Sequence, residues 1–253
     1  MKLFLPPNIY AGILKSFLKQ YKELDIEIKE SSLLSNELEN DKDAVALIPS
    51  MDLINHREVF VSGKAGISFD GTLSNAYFYL TDNSQRTLGN IYIRGDVSVN
   101  EIILTKILFE ERFSAEVEIT LDTHKDPTNT QNTLVVGIEN FTNWDYNSSI
   151  SFSDQMADLL DLPYVNFIFA SYNKGNLSRL ESFFNGVDAS VEENISELLN
   201  DLSLSEEIKN YVQSNLGSVY FEMTSNESEA LNEMIKLVYY HGIIEDIFDV
   251  KFI

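Results

Sequence analysis

Across its 253 residues the chain sets 18 Lys and Arg against 40 Asp and Glu, a formal charge of −22. Such a surface repels nucleic acid and anionic membranes, while 44% hydrophobic and 11% aromatic content excludes disorder as a description of the whole. With no cysteine, disulfides, thiolate metal sites, iron–sulfur clusters and a cysteine nucleophile are excluded, and His56, His124 and His241 lie in three separate segments with no pair at metal-ligand spacing.

Residues 1–5 read as a short apolar strand. From Asn8 the apolar Ile9, Ile13, Leu14, Phe17 and Leu18 recur at helical spacing, with Lys15, Lys19 and Lys22 off the stripe. Residues 25–29 alternate apolar and charged, as a half-buried strand does, and 44–48 form a continuous apolar run suited to a strand covered on both faces. Residues 59–62, 65–68 and 76–80 are further strand-like segments, separated by Gly63 and by the Asp70-Gly71 turn. A strand at 90–93, the turn Arg94-Gly95-Asp96, a helix at 100–113 and a strand at 115–121 repeat the strand-helix-strand plan. A polar loop over 122–132, a buried strand at 133–138 and an apolar aromatic strand at 164–172 follow, the last expected to leave this second unit. Helical patterns at 177–184, 191–199, 205–216 and 228–241 complete the chain, three of them ended by Gly186, Gly217 and Gly242.

Between Lys2 and Pro6 only three apolar residues occur, fewer than the roughly 7 to 15 of an export signal. No run reaches the roughly 18 to 20 apolar residues of a membrane span, so the expectation is a cytoplasmic protein. No GxGxxG, P-loop lysine pattern or GxSxG occurs; no cofactor and no metal are expected.

Several segments, taken in order, resemble the chorismate dehydratase family of the futalosine route to menaquinone, itself built like type II periplasmic solute-binding proteins. They are DAVALIPSMDLI (43–54), KAGISFDGTLSNAYFYL (64–80), NIYIRGDVSVNEIILTKILFEERF (90–113), TLVVGIENF (133–141) and DLLDLPYVNFIFASY (158–172). The resemblance implies an α/β, two-lobed protein with mixed sheets flanked by helices and a cleft between the lobes. One lobe would comprise residues 1–82 with 174–253, the other 86–172. It further implies a small carboxylate-bearing ligand and, if chemistry occurs, a cofactor-free dehydratase (lyase) step; a non-catalytic solute-binding or sensing protein is the alternative. A monomer or homodimer is expected.

Ligands of open α/β sheets sit outside the carboxyl ends of strands, at switch points and between lobes. On that rule Ser50, Ser74, Asn75, Ser98, Asn100 and Asn140 are the candidate ligand-binding residues, and Glu139 the candidate general base. Ser98 with Glu101 also has the spacing of a capping box. The chain departs from the family at Pro6, at Glu101, which stands where the family's anion-binding turn has a hydroxyl, and at Asp161. Trp144 could stack on a cyclic ligand or pack on its own lobe.

Overall fold

The computed structural model describes residues 1–81, 89–124 and 131–253. Of the expected loop at 122–132, residues 125–130 lie outside them, as do residues 86–88 at the start of the expected second lobe.

The first sheet begins with β1 (Lys2–Leu5), helix α1 (Ile9–Leu18) and β2 (Asp25–Ile28). Asn8 starts α1 by accepting the Ala11 N–H at 2.8 Å, which satisfies one of the helix's free donors. Ile9, Ile13, Leu14 and Leu18 then bury one face. Next come α2 (Leu34–Asn40), β3 (Val45–Pro49), a 3-10 turn at Ser50–Ile54 and the long β4 (Phe60–Phe69). The chain passes to a second sheet built from β5 (Ala76–Tyr79), β6 (Asn90–Gly95), helix α3 (Val99–Phe113), β7 (Glu118–Leu121), β8 (Thr133–Val136), the short α4 (Asn140–Asn143) and β9 (Ile150–Ser151). Helix α5 (Phe152–Leu160) returns it to the first sheet through β10 (Tyr164–Ser171). There α6 (Lys174–Glu181), α7 (Val187–Asn200), α8 (Glu206–Ser214), β11 (Val219–Glu222) and α9 (Ser225–Tyr240) follow.

The six-stranded sheet runs β11-β4-β10-β3-β1-β2 and the five-stranded sheet β7-β6-β8-β5-β9. Both are mixed and share one plan. In the first, β1 lies parallel between β2 and β3, with β10 antiparallel to β3; in the second, β6 lies parallel between β7 and β8, with β5 antiparallel to β8. Parallel strands need long crossovers, which α1, α2 and α3 supply.

Strand membership differs from the expected lobe boundaries in two places. Residues 76–79, expected with the first lobe, pair in the second sheet. Residues 164–171, expected in the second lobe, pair with β3 and β4 in the first. Each sheet thus takes its antiparallel strand from the far side of a crossing segment, and only long-range pairing decides that. The segments expected as separate strands at 59–62 and 65–68 are one strand, β4. Its irregularity is absorbed where the Ser62 hydroxyl accepts the Lys64 and Ala65 N–H groups at 3.2 and 3.0 Å. Helices α2, α4 and α5 and strands β9 and β11 are additions to the expected elements.

One buried apolar cluster runs through both halves, from Leu3, Leu5 and Ile48 in the first sheet to Ile91, Ile93 and Leu134 in the second. Among the described residues no helix is long and apolar enough to cross a membrane.

Candidate functional site

Four strands that end on the same side define a cavity of about 450 Å³ between the sheets. Pro7 follows β1, Glu30 and Ser32 follow β2, Ile93 to Val97 end β6, and Leu121 to Thr123 end β7; all line it. Its volume lies in the range of small-molecule sites.

Arg94, on β6, stands in the cavity wall and is only 7% exposed. Its Nη1 donates to Asp122 Oδ2 at 2.9 Å and its Nη2 to the His124 carbonyl at 3.3 Å. Its Nε lies 2.5 Å from Glu139 Oε1; this ion pair is close but off-line, since neither atom has an aligned hydrogen-bond partner. Burial pushes the Asp122 carboxyl up. The hydrogen bonds from the His124 backbone and ring, with the Arg94 charge, outweigh it and hold the group below the usual carboxylate range.

Asp96 crosses the gap. Its carboxylate accepts the Ser31 N–H at 2.9 Å and the Ser31 hydroxyl at 2.6 Å, tying the end of β6 to the turn after β2 on the other sheet. Burial raises its pKa, the two Ser31 bonds offset this only in part, and the nearby Glu30 charge adds to the rise.

The residues expected from the sequence fall in three groups, none of which lines this cavity. Ser50, Ser98 and Asn100 come together in a closed seam between α3 and the first sheet. Asn100 Oδ1 accepts the Met51 N–H at 2.8 Å and lies 3.5 Å from the Ser50 hydroxyl, and Asn100 Nδ2 donates to the Asn166 carbonyl at 2.6 Å. Ser98 and Glu101 form the capping box of α3: Glu101 Oε2 accepts the Ser98 N–H at 2.8 Å and its hydroxyl at 2.7 Å. Glu101 is buried, and burial pushes its pKa up. Its carboxylate turns back on its own helix rather than toward a ligand.

Ser74 and Asn75 sit in the first crossing segment. Ser74 Oγ lies 2.8 Å from Ser153 Oγ and accepts the Ser153 N–H at 3.1 Å, which joins that crossing to α5 just before the second one. Asn75 contributes its carbonyl to the Gly137 N–H at 2.7 Å, and its buried Nδ2 has no partner among the described residues. Asn140 is spent locally: its amide donates to the Val135 and Gly137 carbonyls at 2.9 and 3.0 Å. Glu139, next to it, faces Arg94. Trp144 packs on Tyr79 of its own sheet, ring centroids 4.5 Å apart.

Arg94, Asp96, Asp122 and Glu30 are the cavity residues that sequence reasoning missed. The turn Arg94-Gly95-Asp96 was legible as a turn. That it follows the strand expected at 90–93 was the available signal, because strand carboxyl ends are where clefts form.

A scan against protein-family models and a search of curated protein sequences gave no match. Solved structures do match over nearly the whole chain. Protein AF1704 from Archaeoglobus fulgidus superposes with a TM-score of 0.68 at 13% identity, covering 96% of this chain and 98% of that one. The alkanesulfonate-binding protein SsuA from Xanthomonas axonopodis pv. citri, bound to MOPS, gives 0.60 at 11% identity over 99% and 96%. The Candida albicans CA3427 gene product, described as exhibiting the generic periplasmic binding protein structural fold, gives 0.54 at 12% identity over 99% and 92%. The chain has the periplasmic-binding-protein fold. At these identities the likeness fixes the fold alone, and the two mixed sheets flanked by helices with a cavity between them are its two lobes and cleft.

Proposed function

We propose that the protein binds a small molecule in the interlobe cavity and that closure of the lobes, without chemistry, is its output. One observation carries this reading. Both sheets contribute strand ends to a single cavity, and Asp96 of one lobe already bonds Ser31 of the other across it. A ligand touching both walls would add to that contact and favour the closed state. In the same proposal, Ser50, Ser98 and Asn100 form a latch that becomes accessible to ligand when the lobes part, and the protein works in the cytoplasm.

The finer reading, a chorismate dehydratase-like lyase acting on a small carboxylate with Glu139 as base, draws on the collinear motifs of the sequence. Binding is favoured over it because Glu139 Oε1 is buried against Arg94, where a base would need access to a substrate proton. Turnover of chorismate by the full chain would reinstate the lyase.

The test of binding is a thermal-shift screen of small acids, amines and neutral metabolites, run in parallel on the Ser32→Trp variant. Ser32 is exposed and lines the cavity, so an indole there fills the space without burdening the core. Stabilisation follows RT ln(1 + [L]/Kd). Hits lost in Ser32→Trp place the ligand in the cleft; hits that all survive it remove the cleft as the site.

A further inference from the structure

Asp96 bonds Ser31 beyond β2, and Asn100 bonds Met51 beyond β3, which ties the lobes together along one half of the first sheet. At the other edge, where β4 and β11 lie, a side chain of α8 reaches the second lobe. We infer that α8 is a strap that sets how readily the lobes open, with Tyr211 as its grip. This rests on the binding reading above, since the motion it governs is the closure taken there as the output.

The helix is lightly held. Of its residues only Ile208 and Val212 are buried, while Glu206, Glu207, Asn210, Gln213 and Ser214 are exposed. Elements with so few buried apolar side chains are the ones a fold can move. Tyr211 shares the face of Ile208 and Val212, but its ring continues into the other lobe. Its centroid lies 4.7 Å from that of Tyr146 and 6.4 Å from that of Phe141, and its hydroxyl is 3.4 Å from the Tyr77 hydroxyl. Those rings pack on one another as well, Phe141 with Tyr146 at 5.2 Å and Tyr77 with Phe141 at 6.1 Å. Tyr211 thus completes an aromatic cluster that belongs to the second lobe. Such ring pairs are favourable but individually weak, which suits a contact that is made and broken.

The same helix is anchored on the first crossing. Just past its end, the Ser218 carbonyl accepts the Asp70 N–H at 3.0 Å and the Ser218 hydroxyl oxygen accepts the Leu73 N–H at 3.1 Å. Asn215 joins helix to anchor. Its Nδ2 donates to the Tyr211 carbonyl at 2.8 Å, and its own carbonyl accepts the Ser218 N–H at 3.0 Å and the Ser218 hydroxyl at 2.7 Å. On the second lobe, the Tyr77 hydroxyl that faces Tyr211 accepts the Ser74 N–H at 3.0 Å. Anchor and grip therefore bear on the consecutive residues Leu73 and Ser74, in the segment that has to bend when the lobes part. Release of Tyr211 and bending of the crossing are coupled, so a small bias at this ring shifts the open and closed populations.

The chain has no cysteine, so spin labels on Leu80→Cys and Asn226→Cys in the full chain report a single distance between the lobes by pulsed electron resonance. Both sites are exposed, Leu80 past the end of β5 that lies away from the crossing and Asn226 past that of β11. With no ligand added, Tyr211→Ala should raise the long-distance population about fivefold or more, the worth of the ring pairs it removes. Tyr211→Phe keeps the ring and should leave the distribution in place. Phe183→Ala is the control: it removes the Tyr21–Phe183 stack, 4.2 Å between centroids within the first lobe, and should also leave the distance unchanged. Should Tyr211→Ala not fold, Tyr211→Leu, which puts an aliphatic side chain in place of the ring, is expected to give the same shift. An unchanged distance in the variant without the ring overturns the strap. Equal lengthening in Phe183→Ala overturns it too, because the effect would then be general loosening. These measurements need no ligand, so either failure leaves the binding reading to its own screen on Ser32→Trp.

Discussion

Asn100 Oδ1 accepts the Met51 backbone N–H at 2.8 Å, so the first turn of α3 in one lobe is bonded to the turn after β3 in the other. The same side chain donates to the Asn166 carbonyl on β10 at 2.6 Å. One buried amide thus satisfies two backbone groups of the opposite lobe, and removing it leaves both unpaired.

Asn100→Ala is therefore expected to destabilise the protein by about 2–6 kcal/mol, at about 1–3 kcal/mol for each of the two buried groups left without a partner. Asn100→Asp should be at least as costly, since it loses the donor to Asn166 and buries a second carboxylate next to Glu101. Urea midpoints of the two variants measure this. A loss below about 1 kcal/mol for Asn100→Ala would mean that the seam does not hold the lobes together.

The Arg94 cluster should behave as a buried ion group. Taking away the guanidinium strands Asp122, whose side chain is 3% exposed, and Glu139, at 20%. Breaking a buried pair from one side costs about 3–5 kcal/mol. The expected order of destabilisation is Arg94→Gln, then Asp122→Asn, then Glu139→Gln, because Glu139 is the most hydrated of the three. In a double-mutant cycle, Glu139→Gln should be less harmful in the Arg94→Gln background than alone. Additive losses would show that the 2.5 Å contact contributes nothing.

The strands and long helices of this fold are legible because their burial is written locally. Residues 45–49 and 164–171 are apolar runs covered on both faces, and α1 and α3 carry a cap and a periodic stripe. Helix α2 has only Leu34 and Leu38 one turn apart in seven residues, too short a period to separate from a loop. Strand exchange between the sheets is not local at all: nothing within residues 76–79 says that they pair with β8 rather than with β4.

The site was harder to read for a physical reason. Ser50, Ser98 and Asn100 stand at strand ends and helix starts, as ligand-binding residues do, yet the same positions are where orphan backbone groups of two lobes meet and need partners. Ser98 with Glu101 was readable as a cap, and it is one. Arg94 was not readable as a cavity residue because its partners, Asp122 and Glu139, lie 28 and 45 positions further on.

Asp52 gives a pH dependence with a definite sign. It is 7% exposed, and burial pushes its pKa from 3.8 to about 6, against the opposing hydrogen bond from the Ser35 hydroxyl and the charge of His56. Its folded pKa exceeds its unfolded one, so between about pH 4 and 6 the folded state holds the proton that the unfolded state has lost. Stability attributable to this group is present below about pH 4 and falls as pH rises toward about 6. At 1.36 kcal/mol per unit the loss is of order 1–3 kcal/mol. Asp52→Asn should flatten that limb of the curve. Urea unfolding of both proteins from pH 4 to 7 checks it, and parallel curves would assign the slope elsewhere.

Gly95 tests how closely the cavity wall is packed. It sits between Arg94 and Asp96 with φ at +94°, and a Cβ there would lie 2.0 Å from the Val136 carbonyl oxygen on β8. That neighbour is backbone, paired with Gly95 in the sheet, and cannot rotate away. Gly95→Ala therefore combines left-handed strain, about 1–3 kcal/mol, with overpacking of about 1–3 kcal/mol, and should destabilise by about 3 kcal/mol or more. Separating β6 from β8 would also shift Arg94 from Glu139 and Asp96 from Ser31, so ligand binding in the cavity should weaken even where the variant remains folded. Gly89→Ala is the control, since among the described residues nothing lies within 4 Å of its added carbon, and its urea midpoint should match the parent. If the two variants unfold together, β6 lies further from β8 than the 2.0 Å contact requires, and the wall that carries Arg94 and Asp96 has room to move.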